Sequence, residues 1–340
     1  MMGTVLVFGE TKAGDVTSGF WEQISAGRQL CGQTGWTMDV AVLGRDTGPA
    51  EHAACSSGAT RVLIVDDVRL GDPWPEATTE VLADVCNELN PDAIVMPRSL
   101  LGSEVAARLA FRLDVAMAMD VMSMERDEEG LVVTRPVFGG AAMATLRLTG
   151  RPWIVLPRKG AFAAAEPVAA PSAEPVPFAS RLDARTLKTT ITAHEHQRTA
   201  GPDLERARVI VAGGRGMGGP EPFQLLRTVA DRLAGALAAS RPPCDFGWVE
   251  PMLQIGLTGK TVAPDLYLAV GISGATQHMT GCSSSRVIVA INNDPDAPIF
   301  SMASYGVVGD WQEVLPGFLE ALSDTSTSPS NRSETRPRVV

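Results

Sequence analysis

Two apolar runs in the C-terminal part of the chain, Leu266–Val270 and Val287–Ile291, each stop abruptly at small or polar residues, and this restricts the fold more than any other feature. The first run ends at Gly271 and gives way to Ile272-Ser273-Gly274. Ala275-Thr276-Gln277-His278-Met279 follows, a composition suited to the first turns of a helix. The second run ends in Asn292-Asn293-Asp294-Pro295. Short apolar runs bounded by turn residues are the pattern of buried parallel strands. A strand, turn and helix in that order aim free backbone N–H groups and the positive end of a helix dipole at whatever lies over the turn, so an anion is the natural guest. In open α/β sheets nucleotides bind at the edge where strands finish.

Upstream, strand and helix patterns alternate. Strands are predicted at Thr4–Phe8, Met38–Leu43, Arg61–Val65 and Ala93–Met96. Helices are predicted around Gly19–Cys31, Ala50–Ser56, Glu76–Leu89 and Ser103–Leu113, the last with Ser103 as its N-cap. Strands separated by helices of this length imply βαβ units and a mainly parallel sheet. From Met117 to Leu156 the runs shorten to Leu131–Thr134, Ala144–Leu148 and Trp153–Leu156, for which antiparallel pairing needs no crossovers. An Ala-, Pro- and Glu-rich stretch from about Gly160 to Thr199 reads as an extended strand or coil between domains. A second α/β unit opens with the strand Arg208–Ala212, a glycine-rich turn and a helix from Glu221 to Ala238. The expected organisation is an N-terminal domain over 1–200, a C-terminal domain over 201–323 and a Ser-, Thr-, Pro- and Arg-rich disordered tail over 324–340.

Composition excludes several classes of function. With 29 basic residues against 39 acidic ones and a net charge of −10, general nucleic-acid or anionic-membrane binding is not expected. No apolar run reaches the roughly 18–20 residues of a membrane span, and Thr4–Phe8 follows no charged leader, so a cytoplasmic setting is expected. The five cysteines are scattered without CxxC spacing, which favours neither disulfides nor a metal cluster. His194-Glu195-His196 offers two imidazoles at i and i+2 but no third ligand, so no metal is expected.

Gly214, Gly216 and Gly219 match GxGxxG in the strand, turn and helix context that this pattern requires. About twenty residues on, where an acidic ribose ligand belongs, stand Ala239-Ser240-Arg241 instead. An NADP site, with Arg241 on a 2′-phosphate, is therefore one reading, and a plain tight turn is another. Arg215 inside the turn suits phosphate oxygens. The second unit shows neither a Ser-His-Asp order nor paired carboxylates, so its chemistry is expected to come from a bound cofactor.

Taken in order, Gly213-Gly214-Arg215-Gly216, Ala239-Ser240-Arg241, Leu257-Thr258-Gly259-Lys260, GISGATQH from Gly271, AINNDPDAPIF from Ala290 and YGVVGDW from Tyr305 resemble the FAD-binding signature of electron transfer flavoprotein alpha subunits, the FixB-like family. The likeness is close over the C-terminal third and loose over the N-terminal half. It implies an α/β protein of two domains. The first would be a mainly parallel sheet like the adenine nucleotide alpha hydrolases, and the second a Rossmann-like FAD-binding domain like deoxyhypusine synthase. It further implies an electron carrier without substrate chemistry of its own, taking electrons from flavoprotein dehydrogenases and passing them to a quinone reductase or another acceptor. The implied partner is an electron transfer flavoprotein beta subunit, in a heterodimer, carrying AMP or a second flavin.

By the same resemblance, Arg241 with Ser240 would lie against the isoalloxazine, Thr258 near flavin N5, and His278 with Gln277 at the O2 edge. Arg215, Ser273 and Asn292 would hold the diphosphate and ribityl chain, while Asp310 and Trp311 would close over the adenosine end. Ile255, Gly256, Leu257, Gly274, Ala275 and Thr276 complete the implied cofactor set. Leu257 departs from the glutamine common at its position, and Ser304 from an aspartate. Cys244 and Trp248 stand in the loop expected to reach the flavin.

Overall fold

A computed structural model describes residues 3–140, 142–169, 173–183, 185, 187–193 and 203–325. The His194–His196 motif and the tail beyond 325 lie outside the described residues. The chain forms two compact units, Met1–Arg198 and Thr199–Val340.

In the first unit the elements run β1 (Thr4–Lys12), β2 (Asp15–Val16), α1 (Phe20–Thr34), β3 (Thr37–Gly44), α2 (Gly48–Cys55), β4 (Arg61–Asp66), α3 (Pro75–Leu89), β5 (Ala93–Val95) and α4 (Leu100–Leu113). They continue through β6 (Met117–Val121), β7 (Ser123–Arg126), β8 (Leu131–Val137), β9 (Ala142–Leu148), β10 (Trp153–Pro157) and β11 (Pro175–Pro177). The main sheet has the order β11-β4-β3-β1-β5-β10-β6. Both faces are covered, as a parallel sheet requires. Successive residues of β1 serve opposite faces: Val5 and Val7 pack with Phe20, Ile24 and Leu30 of α1, whereas Leu6 and Phe8 pack with Val81, Leu82 and Leu109 of α3 and α4.

Three local expectations are corrected here. Trp153–Leu156 does not pair antiparallel, because β10 lies parallel between β5 and β6. The long connection that parallel neighbours need is supplied by β7, β8 and β9, which form an antiparallel sheet of their own. The cap of α4 is Ser99, whose Oγ accepts from Gly102 N at 2.8 Å, while the Ser103 hydroxyl donates back to the Ser99 carbonyl at 2.6 Å. Ser99 wins because its backbone is still extended, at φ −84 and ψ 173, as a capping residue's must be. Part of the Pro-rich stretch is indeed a strand: β11 adds to β4 in parallel.

The second unit contains β12 (Val209–Gly213), α5 (Pro222–Arg232), β13 (Ala236–Ala239), α6 (Arg241–Asp245), β14 (Leu266–Val270), α7 (Thr276–Met279), β15 (Val287–Asn292), β16 (Tyr305–Val308) and α8 (Trp311–Thr325). Its strands are all parallel, in the order β13-β12-β14-β15-β16. The third correction falls here. The helix expected to reach Ala238 stops at Arg232, Ala234 turns left-handed at φ 49, and Ala236–Ala239 becomes a buried strand. A Cβ on Gly235 would lie 2.7 Å from the Val209 carbonyl oxygen, so strand packing against β12 decides the conformation over the helix preference of alanine.

β13 lies on one side of β12 and β14 on the other, which makes the gap between the ends of β12 and β14 a topological switch point. Two glycine turns are pressed together there. A Cβ on Gly214 would sit 2.1 Å from the Gly271 carbonyl oxygen, and one on Gly216 would sit 2.9 Å from Gly271 Cα. Gly216 N donates to the Gly271 carbonyl at 3.0 Å, and Gly214 N to that of Val270 at 2.8 Å. The glycines of the GxGxxG match thus first allow one turn to seat on the other. Gly219 has only the flexible Glu221 carboxylate nearby, at 3.1 Å. Gly214→Ala is therefore expected to cost about 3 kcal/mol or more, an overpacking penalty against rigid backbone, and Gly219→Ala under about 1 kcal/mol. Urea unfolding of cofactor-free protein measures both, and equal costs would contradict the packing role.

Candidate functional site

Four strand ends of the second unit open onto one cavity of about 630 Å3, within the range of small-molecule sites. Arg215 and Gly216 follow β12, and Ser240, Arg241 and Pro242 follow β13. Gly271, Ile272, Ser273, Ala275, Gln277 and His278 follow β14, and Asn292, Asp294 and Ala297 follow β15. The loop Gln254–Thr258 completes the wall.

Four residues expected in the site do not line this cavity: Gly274, Thr276, Asp310 and Trp311. Gly274, at φ 84, takes a conformation that suits glycine, and any Cβ there would meet Ile299 N at 2.4 Å. Asp310 caps α8, accepting from Gln312 N at 2.9 Å. Trp311 donates from Nε1 to the Gly216 carbonyl at 3.1 Å, which ties the start of α8 to the glycine turn. Sequence reasoning omitted Gly216, Pro242, Gln254, Gly271, Ile272, Asp294 and Ala297. All but Gln254 adjoin or lie inside motifs that were already quoted. Cys244 and Trp248 face elsewhere: Cys244 packs in the core with Met217 and Phe223, and Trp248 packs against Phe223 and Phe246.

The Ser273–Ala275 turn is built to present donors. The N–H groups of Ser273, Gly274 and Ala275 have no protein acceptor among the described residues, while the turn itself is held rigidly. Asn292 Nδ2 donates to the Ile272 carbonyl at 2.9 Å, Gly271 N to that of Ile291 at 2.9 Å, and Ile299 N to that of Ser273 at 3.0 Å. The helix expected to add its dipole is a single turn, α7, which runs into further turns from Thr280. One turn aligns few peptides, so the site's positive potential comes from the individual N–H groups and the arginines rather than from a macrodipole. Arg215 has no carboxylate partner among the described residues. Arg241 meets Asp245 through Nε at 3.0 Å and keeps its two terminal nitrogens.

The opposite wall is fixed by a buried pair. His278 Nδ1 lies 3.0 Å from the Ile255 carbonyl oxygen, which can only accept, so Nδ1 carries the proton. Nε2 then accepts from the Tyr267 hydroxyl at 2.9 Å. Burial lowers the His278 pKa to about 4, while the bond to Ile255 opposes the shift. Burial likewise pushes the Tyr267 phenol well above its ordinary value. Both groups are therefore neutral at pH 7. In this arrangement His278 clamps the 255–258 loop, and an N–H for a ligand is gained only by giving up one of these bonds. Leu257 N donates to the Gln277 carbonyl at 2.7 Å, a second clamp, and leaves its side chain 64% exposed at the cavity mouth. Burial raises Cys244 to about 11, so it stays a thiol.

Comparison with known proteins adds the lineage. Residues 5–180 match the family described as electron transfer flavoprotein domain, and residues 203–283 match the electron transfer flavoprotein FAD-binding domain. The chain is 35% identical over 320 residues to the electron transfer flavoprotein subunit alpha of Thermoanaerobacterium thermosaccharolyticum, covering 94% of this chain and 97% of the relative. It is 36% identical to the subunit of the same description from Bacillus subtilis, covering 92% and 95%. It is 37% identical to protein FixB of Azorhizobium caulinodans, covering 96% and 90%.

A histidine whose pKa burial depresses binds fewer protons folded than unfolded, so the fold is insensitive to this ring above pH 6.5 and loses stability as pH falls from there toward about 4. The shift is worth roughly 3 kcal/mol. NMR titration of the His278 ring should find it still mostly neutral at pH 5, with a midpoint near pH 4. A midpoint near the ordinary histidine value would contradict the clamp.

Proposed function

This chain belongs to the electron transfer flavoprotein alpha-subunit family, and on that premise we propose that the switch-point cavity is where its FAD sits. One observation carries the reading. Ser273 and Ala275, whose N–H groups have no protein acceptor among the described residues, line a single cavity together with Arg215 and Arg241 at the ends of β12, β13 and β14. The residues fit the group. A dinucleotide brings two phosphates and a flat ring system, and the cavity offers a cluster of donors, two arginines and a half-apolar wall made by Ile255, Leu257 and Pro242.

When bound, FAD supplies reversible acceptance of electrons, chemistry that no protein side chain here provides. The chain's own residues bind, orient and set the local charge. The Ser273–Ala275 turn would hold the diphosphate through its main-chain N–H groups, and Arg215 would add a planar fork suited to phosphate oxygens. Arg241 would place a positive charge near the ring, where a gain of electrons adds negative charge, and Thr258 would offer its hydroxyl to the ring edge. His278 and Tyr267 hold the Ile255–Thr258 loop in register. Leu257 shields the mouth without adding a polar contact.

The chain works as an electron carrier rather than as a catalyst of bond making, paired with a beta subunit in a heterodimer. Its electrons come from flavoprotein dehydrogenases and leave to a quinone reductase or another acceptor, in the cytoplasm. No helix among the described residues is long and apolar enough to cross a membrane. An NADP site is not favoured: it leaves the Ser273–Ala275 turn and the Asn292 brace without a task, and two of its three motif glycines are occupied by turn packing.

Co-expressed with its beta subunit, the chain should purify yellow with tightly held FAD, and a colourless complex would overturn the reading. Arg241→Ala should lower the two-electron reduction potential by roughly 20–60 mV, the equivalent of one to three kcal/mol of charge stabilisation. Spectroelectrochemistry decides this, and an unchanged or raised potential would remove Arg241 from the ring environment.

A further inference from the structure

We infer that Gln254 fixes the polarity of the Thr258 hydroxyl, so that Thr258 faces the cavity as a hydrogen-bond donor. This rests on the FAD reading above and deepens it by adding a positioning residue. Gln254 Nε2 lies 2.9 Å from Thr258 Oγ1, and both residues line the cavity. An amide N–H can only donate, so Thr258 Oγ1 accepts in this bond. Its own proton must then point away from Gln254, and among the described residues no protein acceptor takes it. The proton is left for the occupant of the cavity. A threonine without this partner could rotate its hydroxyl to donate or to accept, and the site would lose a defined donor.

Gln254 is held well enough to do this. Its N–H donates to the Pro251 carbonyl at 3.1 Å, and its own carbonyl accepts from Lys260 N at 2.8 Å. The next residue is tied to β13, Ile255 N donating to the Ala239 carbonyl at 2.9 Å. The turn between Gln254 and Lys260 is so tight that a Cβ on Gly259 would stand 2.4 Å from the Gln254 carbonyl oxygen. The amide therefore starts from a fixed backbone point, and the Thr258 hydroxyl inherits that precision. With Nε2 engaged on Thr258 Oγ1, the effect of Gln254 on the ring should pass through Thr258.

The test is a double-mutant cycle in the FAD-loaded complex with the beta subunit, using FAD affinity and resonance Raman ring modes, which respond to hydrogen bonding at the ring. Gln254→Met should weaken FAD roughly fivefold, the weight of one net hydrogen bond, and shift those modes as Thr258→Val does. In the Thr258→Val background Gln254→Met should add nothing further. Gln254→Glu, close in shape, presents only acceptors and captures the Thr258 proton, so it should shift the same modes; it carries the comparison if the methionine variant does not fold. Equal losses from Gln254→Met with and without the Thr258 hydroxyl would overturn the inference, as would a Gln254→Glu complex with wild-type spectrum and affinity. A wild-type complex that takes up no FAD would overturn the parent reading as well, an outcome distinct from variants that bind FAD like wild type.

Discussion

The second unit depends on the seating of one glycine turn on another. Gly214 and Gly216 close against Gly271 so tightly that no side chain fits between them, and this contact joins the ends of β12 and β14 at the one place where the strand order reverses. Once the turns are locked, backbone geometry does most of the work. The Ser273–Ala275 N–H groups are left without protein acceptors among the described residues, Asn292 braces the turn through the Ile272 carbonyl, and Trp311 ties α8 to the Gly216 carbonyl. A ligand with several acceptor oxygens then meets donors already ordered, so little of its binding free energy goes into arranging them.

The charge arrangement follows the same economy. Positive charge enters the cavity only through Arg215 and Arg241 among its lining residues, while His278 and Tyr267 are neutral by burial. A neutral imidazole bonded on both nitrogens is a better brace than a donor whose protonation varies with pH. The Cys244 thiol, in the segment that begins at Arg241, is also protonated and packed in the core. Such a wall is suited to a cofactor that carries the chemistry while the protein positions it.

Much of this was legible in the sequence because the strands of a buried parallel sheet are apolar on both faces and end at residues that cannot continue them. Leu266–Val270 and Val287–Ile291 announced themselves in that way, and the turns at their ends hold nine of the nineteen lining residues. What was hidden required tertiary information. Ala236–Ala239 has the composition of a helix end, and only its packing beside Val209 makes it a strand. The reason for Gly214 lies fifty-seven residues away at Gly271. The reason for Gly281 likewise lies at Gly256, whose N a Cβ there would meet at 2.4 Å. Gln254 carries no motif at all, because its function is a single hydrogen bond inside an irregular loop. Asp310 and Trp311 sit in a recognisable motif; Asp310 caps α8, Trp311 bonds the Gly216 carbonyl, and neither lines the cavity.

If the paired turns at the β12 and β14 ends cradle the diphosphate, a crystal structure of the FAD-loaded heterodimer should show it. The diphosphate oxygens should then lie within hydrogen-bond distance of the Ser273, Gly274 and Ala275 N–H groups, with Arg215 alongside. A diphosphate bound away from that turn, with those three N–H groups facing only solvent, would contradict it.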